Sequence, residues 1–551
     1  MSKKQKNGFL IQGSIMAIAS LVCRVIGLLY RRPLTAIIGD QGMGYYGFAY
    51  NVYSIILLIA SFSIPLAVSK SISARLAMKE YKNAQRIFYG ALIYAVIVGG
   101  IAALFAYIAA PILIPNQPGA ILALRVMAPT IFFSGILGVL RGYFQGHSTM
   151  VPTSISQIIE QILNAVVSVL MAYVLAMPYL NLEATKTVKF NIAKYGAAGS
   201  ALGTGAGVLI GLLFCLIIYL AYSKRAKIYM KHDKTKEVES YSKIFKILLL
   251  TITPVIFSTA IYNCSAIIDS TLFNIILNYK NVAAHEAAVL YGVFSNQYNV
   301  LINVPVALAS ALSNAIVPDI SGAYVLNDKD KMNHSINTAI RFTMMISIPC
   351  AVGMGILAKP LVGLLFGPIK SFGLGPNLLR IGSISIVFYC LSTLTNGILQ
   401  GMGKMRVPVR HSVISVILNL ITIVLLLLFT NTNAYALVFA TMIFSFAMCI
   451  LNARSIKKYT SYKQELSKTF IKPCISALIM GVVVFAIQFA FDHMMAATSL
   501  AFALCIVVSM LVGALIYLVC IIKLQVFTEN ELLEVPKGSI LVRFAKKFKL
   551  L

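Results

Sequence analysis

The stretch SLVCRVIGLLYRRPL, residues 20–34, sets three guanidinium groups within and at the end of an apolar run. An arginine in the apolar part of a membrane helix costs about 2.5–3.5 kcal/mol on insertion scales, so it needs compensation. Guanidinium groups offer planar, paired donors that match phosphate oxygens. Arg24 and Arg31 lie one heptad apart, which on a helix places them on nearly one face, about 10 Å along the axis. Together they form a candidate two-point anion site. The competing reading is that Arg24 snorkels to the interface while Arg31 and Arg32 rest among headgroups.

Other polar residues interrupt apolar runs. Asp269 stands inside NCSAIIDSTLFNIIL, where it could pair with a cation or take up a coupling ion or proton. Gln157, Glu160, Gln161, Asn164 and Ser168 form a stripe at helical spacing, and Asn296, Gln297, Asn299 and Asn303 form a second. Such stripes either line a hydrated cavity or hydrogen-bond between helices. Lys70 closes SIPLAVSK and Arg141 lies near the end of the fourth run, both at positions where snorkelling is common.

The elements that must position these groups follow from composition. The chain has 551 residues, of which 59% are hydrophobic and only 11% charged. Apolar runs of about 20 residues recur from end to end, each long enough to cross a bilayer. We read an all-α polytopic membrane protein with about fourteen transmembrane helices. The first is expected near 9–30, the second near 45–69, the seventh near 245–275, the eighth near 288–316 and the last near 498–522. With the N-terminus inside, most of the 46 Lys and Arg fall in cytoplasmic loops, so both termini are expected in the cytoplasm. Arg31 and Arg32 are exceptions to that bias. The net charge of +29 then reads as loops facing anionic phospholipids, with no nucleic-acid partner. Nine cysteines lie in or beside apolar runs without paired spacing, as small hydrophobes do. No nucleotide loop, metal cluster or nucleophile constellation is evident, so the chain is expected not to be an enzyme.

The sequence also repeats itself at a separation drifting from about 245 to about 255 residues, as loop insertions require. YGFAYNVY at 46–53 matches YGVFSNQY at 291–298, Leu124-Arg125 matches Leu379-Arg380, and Asn164 matches Asn419. The strongest pair is Gly142-Tyr143-Phe144-Gln145-Gly146 with Gly397-Ile398-Leu399-Gln400-Gly401. The expected organisation is an N-lobe at 1–223, a basic linker at 224–244, a C-lobe at 245–455, two further helices at 456–523 and a cytoplasmic tail at 524–551. Both lobes start from the same side, which makes them parallel repeats and suggests a transporter with its site between them. In that alignment Asp269 stands opposite Arg24.

The block CRVIGLLYRRPLTAIIGDQGMGYYGFAYNVY, with SIPLAVSK and RGYFQGHSTMVPTSISQIIEQILN, resembles the multidrug/oligosaccharidyl-lipid/polysaccharide (MOP) exporter superfamily. Within it, the chain resembles the lipid II flippase (MurJ-type) and stage V sporulation protein B branch of bacteria. The resemblance implies a V-shaped MOP-type fold in the bacterial cytoplasmic membrane. It also implies alternating-access flipping of an undecaprenyl-pyrophosphate-linked cell-wall precursor, lipid II first, with another lipid-linked oligosaccharide or a drug as alternative cargo. Arg24 matches the first-helix arginine that lines the cavity of those flippases. A second arginine followed by an acid is common six residues later; here Tyr30 stands there, followed by Arg31 and Arg32. Substrate contacts are therefore expected from Arg24, Arg31, Arg32, Lys70, Glu160, Asn164, Asn296 and Gln297. Coupling or gating is expected from Asp269, Asn396 and Gln400, with Ser412 near them. No cofactor is expected; Na+, H+ and the membrane potential stay open as drivers, and the functional unit is expected to be a monomer.

Overall fold

A computed structural model describes residues 16, 19–20, 22–62, 64–183, 185–229, 233, 235, 237–367, 373–460, 462–495 and 498–526. The described residues are helical, with no strand among them. Ten of these helices are long and apolar enough to span a bilayer, and an eleventh if the bent pair Leu374–Gly382 and Ser385–Gly401 is one span. The expected first span falls partly outside the described residues, as does the tail from 527 onward. Contacts divide the chain into two compact units, Met1–Asn296 and Gln297–Leu551.

The first unit opens with a helix over 22–29 (α1). After a single turn residue, Tyr30, α2 runs Arg31–Leu57. This changes the expected boundary: the helix does not stop at the arginines, and Leu34 and Ile38 beyond them are fully buried. The helical path is kinked instead at Gly39, whose φ of 66° and ψ of 178° suit only a residue without a side chain. A π-helical turn, Leu58–Phe62, then leads into α3, Ile64–Ala77. There follow α4 (Tyr81–Ile108), the short α5 (Ala110–Leu113), α6 (Pro118–Gly146), α7 (Val151–Leu180), α8 (Lys186–Tyr229), α9 (Tyr241–Tyr279) and α10 (Ala284–Gly292). Prolines in the first turns of α5, α6 and α7 start those helices where a missing N–H costs nothing. The core of this unit joins α3, α4, α6, α8 and α9 through residues such as Val68, Ile72, Phe88, Leu140 and Leu248.

The α7–α8 hairpin is closed by glycine. Gly199, Gly203 and Gly207 recur every four residues along one face of α8 and press against the α7 backbone. A Cβ at Gly203 would stand 2.5 Å from the Ser168 amide nitrogen, and one at Gly207 would stand 2.5 Å from the Glu160 carbonyl oxygen. Side chains there are excluded, and the exclusion brings the two helices into backbone contact.

The second unit contains α11 (Asn299–Val325), α12 (Lys329–Ile356), α13 (Ala358–Phe366), α14 (Leu374–Gly382), α15 (Ser385–Gly401), α16 (Arg406–Phe429), α17 (Ala434–Thr460), α18 (Lys472–Met494) and α19 (Ser499–Lys523). Its element order repeats that of the first: a short helix follows α12 as α5 follows α4. The matching glycine motifs also do the same job. Gly142 and Gly146 of α6 lie against Pro65, Val68 and Ile72 of α3, while Gly397 and Gly401 of α15 lie against Ser313, Val317 and Ile320 of α11. The repeat is thus a repeat of helix–helix contacts as well as of letters.

Outside the spans, Glu465 fastens the α17–α18 connection to α12. It accepts 2.6 Å from Arg341, which is 3% exposed, and 3.2 Å from Asn337. Burial opposes its charge, but the hydrogen bonds from Asn337 and Arg341 and the charges of Arg341 and Lys468 outweigh it, and the carboxyl is held below its ordinary value. A depressed carboxyl pKa contributes stability above the ordinary range that is lost as pH falls through the folded value. Detergent-solubilised Glu465→Gln should therefore melt roughly 2–4 °C below wild type at pH 7, with the gap closing in acid. A gap independent of pH would mean that the charge of Glu465 plays no part.

Candidate functional site

The expected anion site is built around α1, α2 and α7. Helix α1 rides along the polar stripe of α7: the Cys23 thiol donates to the Gln157 carbonyl at 3.4 Å, and one turn on Gly27 leaves room for the Gln161 amide. Arg24 lies between these contacts in sequence and is exposed. Arg31 opens α2 directly after Tyr30, and its guanidinium donates to the Asn296 side-chain amide oxygen, Oδ1. The Asn296 amide donates to Thr35 Oγ at 3.2 Å, and that hydroxyl donates to the Arg31 carbonyl at 2.7 Å. Asn296 and Thr35 are 1% and 2% exposed, and the Arg31 Nε is buried without a partner. Among the described residues no carboxylate pairs with Arg31.

Arg32 is half-buried on α2, and Lys70 is exposed on α3. Glu160 is placed differently from a bare cavity liner. It accepts from Arg141 at 2.7 Å, and Arg141 also donates to Ser156 at 3.0 Å. This pair neutralises both charges within the span, where losing one partner would cost about 3–5 kcal/mol. Arg141 is therefore not a lysine-like snorkelling residue but half of an ion pair. Asn164 accepts from Ser168 at 2.9 Å, and Ser168 in turn reaches the Ser200 carbonyl at 3.0 Å. The α7 stripe thus serves helix packing on one edge and α1 on the other.

Asp269 is buried on α9, 6% exposed, near the buried Tyr291 of α10. The Asn51 amide of α2 donates to the Tyr291 hydroxyl, and Phe48 stacks on the Tyr291 ring at 4.1 Å. Gly44 and Gly292 let the α2 and α10 backbones touch, Gly44 against the Ala288 carbonyl and Gly292 against that of Asp40. Gln117, before α6, ties the same region to Asn274 at 2.9 Å and to the Ala284 carbonyl at 3.1 Å. The two matched segments, YGFAYN and YGVFSN, therefore pack on each other.

Gln297 begins the second unit and is buried against Gly375. Asn396 accepts from Asn452 at 2.8 Å in a network that sequence reading missed. Asn452 also donates to Thr395 at 2.9 Å and accepts from His411 at 2.7 Å, while Ser455 meets the other His411 nitrogen at 3.2 Å. Gln400 is exposed, and Ser412 hydrogen-bonds its own helix at 2.9 Å from the Pro408 carbonyl. Asp269 thus belongs to one unit, and Asn396 and Gln400 to the other. Among the described residues no group of three or more His, Cys, Asp or Glu could hold a metal ion. The sequence did carry signals for what was missed. Opposite charges at 141 and 160 face each other across one short turn, and glycines recur at 199, 203, 207 and 211.

The fold is that of MOP-superfamily transporters. An inward-facing multidrug resistance MATE transporter aligns over 80% of this chain and 96% of its own at a TM-score of 0.63 and 16% identity. The structure described as "Lipid II flippase MurJ, inward closed conformation" aligns over 92% and 97% at a TM-score of 0.65 and 16% identity. The family model for the lipid II flippase MurJ matches residues 78–508, and the chain belongs to that family. The lipid II flippase MurJ of Bacillus subtilis (strain 168) is 25% identical over 534 residues, covering 93% of this chain and 94% of the relative. Stage V sporulation protein B of the same organism is 24% identical over 422 residues, covering 75% and 77%.

Proposed function

We propose that the chain flips an undecaprenyl-pyrophosphate-linked cell-wall precursor, lipid II, from the inner to the outer leaflet of the cytoplasmic membrane, with both termini in the cytoplasm. The observation that carries this reading is Arg31, a membrane-span guanidinium held, among the described residues, by the neutral Asn296, with a buried Nε still open to an acceptor. Exchanging a neutral amide for a paired, charge-assisted bond to phosphate is favourable in a poorly solvated site. Arg24, one heptad earlier on an exposed face, supplies the second cationic point for the second phosphate. An anionic lipid suits these cations; a cationic drug does not. Alternating exposure of the site would move the headgroup across, with Asp269 as the group that binds Na+ or H+, or senses the membrane potential.

Expression of the wild-type chain in cells depleted of their own lipid II flippase should restore growth and outward labelling of lipid II. Rescue of a stage V sporulation protein B deletion but not of the flippase depletion would transfer the reading to a different lipid-linked glycan. Rescue of neither, with the protein present in the membrane, would overturn it.

A further inference from the structure

Within the first unit, α4 and α6 bound an open, apolar groove of about 340 Å³. Gly100, Ala103, Leu104 and Tyr107 form one wall, and Pro129 and Phe132 belong to the other. Small residues on α4 hollow the groove, and Gly99 brings the helices together beneath it, 3.4 Å from the Phe132 backbone where a Cβ would stand. At the end of the groove nearest the α4–α6 connection lies Arg125. Its guanidinium sits over the Tyr107 ring at 5.5 Å, and its Nε is buried with no hydrogen-bond partner. Among the described residues no carboxylate pairs with it. The sequence from Ile87 through Leu124 contains no charged side chain at all, so nothing on α4 beyond its first turns can neutralise this arginine.

We propose that the groove seats one anionic glycerophospholipid, with its phosphate on Arg125 and an acyl chain lying between α4 and α6. The assignment follows from three features. An arginine in a span demands an anion, and here the described residues offer it a ring face. The groove below it is apolar, so the remainder of the ligand is hydrocarbon. A single cation matches a single phosphodiester, whereas a pyrophosphate would call for a second one. The site involves neither Arg24 nor Arg31 and is independent of the transport reading.

The chain contains no tryptophan, so one introduced reporter is unambiguous. Leu104 is exposed on the groove wall and Val174 is exposed on α7, away from it. In vesicles, the Leu104→Trp chain should be quenched about fivefold more efficiently by brominated phosphatidylglycerol than by brominated phosphatidylcholine at equal mole fraction. The ratio should fall to that of the Val174→Trp control when Arg125→Gln is added, with elution profile and helix content unchanged. Equal quenching by the two lipids, or a preference that survives Arg125→Gln, would overturn the proposal. So would displacement of the brominated lipid by equimolar undecaprenyl phosphate, which would reassign the groove to a polyprenyl chain.

Discussion

Arg31→Ala should reduce flippase complementation by at least about 100-fold while leaving the protein inserted and monodisperse. Loss of one partner from a desolvated charged pair costs about 3–5 kcal/mol, a factor of roughly 10² to several thousand in binding. Arg31→Lys should recover only part of that loss, because an ammonium keeps the charge but not the fork that spans two phosphate oxygens. Asn296→Ala is the informative companion. It removes the neutral acceptor that competes for the guanidinium, at the expense of about 1.5–3 kcal/mol of local hydrogen bonding. If Arg31 binds cargo, Asn296→Ala retains transport, with altered cargo affinity, whereas Arg31→Ala loses it. If Arg31 and Asn296 form only a structural contact, the two variants fail together and in proportion to their loss of thermal stability. Assaying growth rescue beside melting temperature for all three variants separates the cases.

The second large effect is expected from packing, not from charge. Gly203→Leu places four heavy atoms where the α7 backbone already stands, with Ser168 atoms within 3 Å of the first of them. Overpacking by a single methylene costs about 1–3 kcal/mol, and a leucine against main chain exceeds what a shift of side chains can absorb. The variant should yield little folded protein, and Gly203→Ala should be recoverable but clearly destabilised. Gly353→Ala, at a helical glycine with nothing within 4 Å of the added carbon, should be neutral or stabilising by about 0.5–1 kcal/mol. Yields and melting temperatures of the three variants in one detergent test the ladder. Equal behaviour of Gly203→Ala and Gly353→Ala would refute it.

Much of this architecture was legible because membrane physics leaves few options. Runs of about 20 apolar residues must become helices, and a repeat that preserves glycines must preserve helix contacts. The pairing of Gly142 and Gly146 with α3, and of Gly397 and Gly401 with α11, is a direct reading of the repeat. Side-chain partners were less legible, for a physical reason. Periodicity says which residues share a face but not which neighbouring helix meets that face. Glu160 therefore read as a cavity liner although Arg141 neutralises it, and the first helix read as ending at the arginines because charge normally marks an interface. Gly39, in a conformation closed to other residues, is where the helical path is actually broken. The links of Asn452 to His411 and Asn396 were invisible for the same reason, since these residues lie on different helices.

The glycine ladder also constrains how the protein is made. Helix α7 carries Gln157, Glu160, Gln161 and Asn164, a poor cargo for lipid when it first leaves the ribosome. Its partners arrive at different moments: Arg141 is already present on α6, but the backbone surface that shields Ser168 and Asn164 comes only with α8. Helix α7 should therefore wait at the translocon until α8 emerges and enter the bilayer with it as a zipped hairpin. The hairpin's shielding of these polar groups from lipid is therefore complete only when the glycine face of α8 through Gly207 lies against α7.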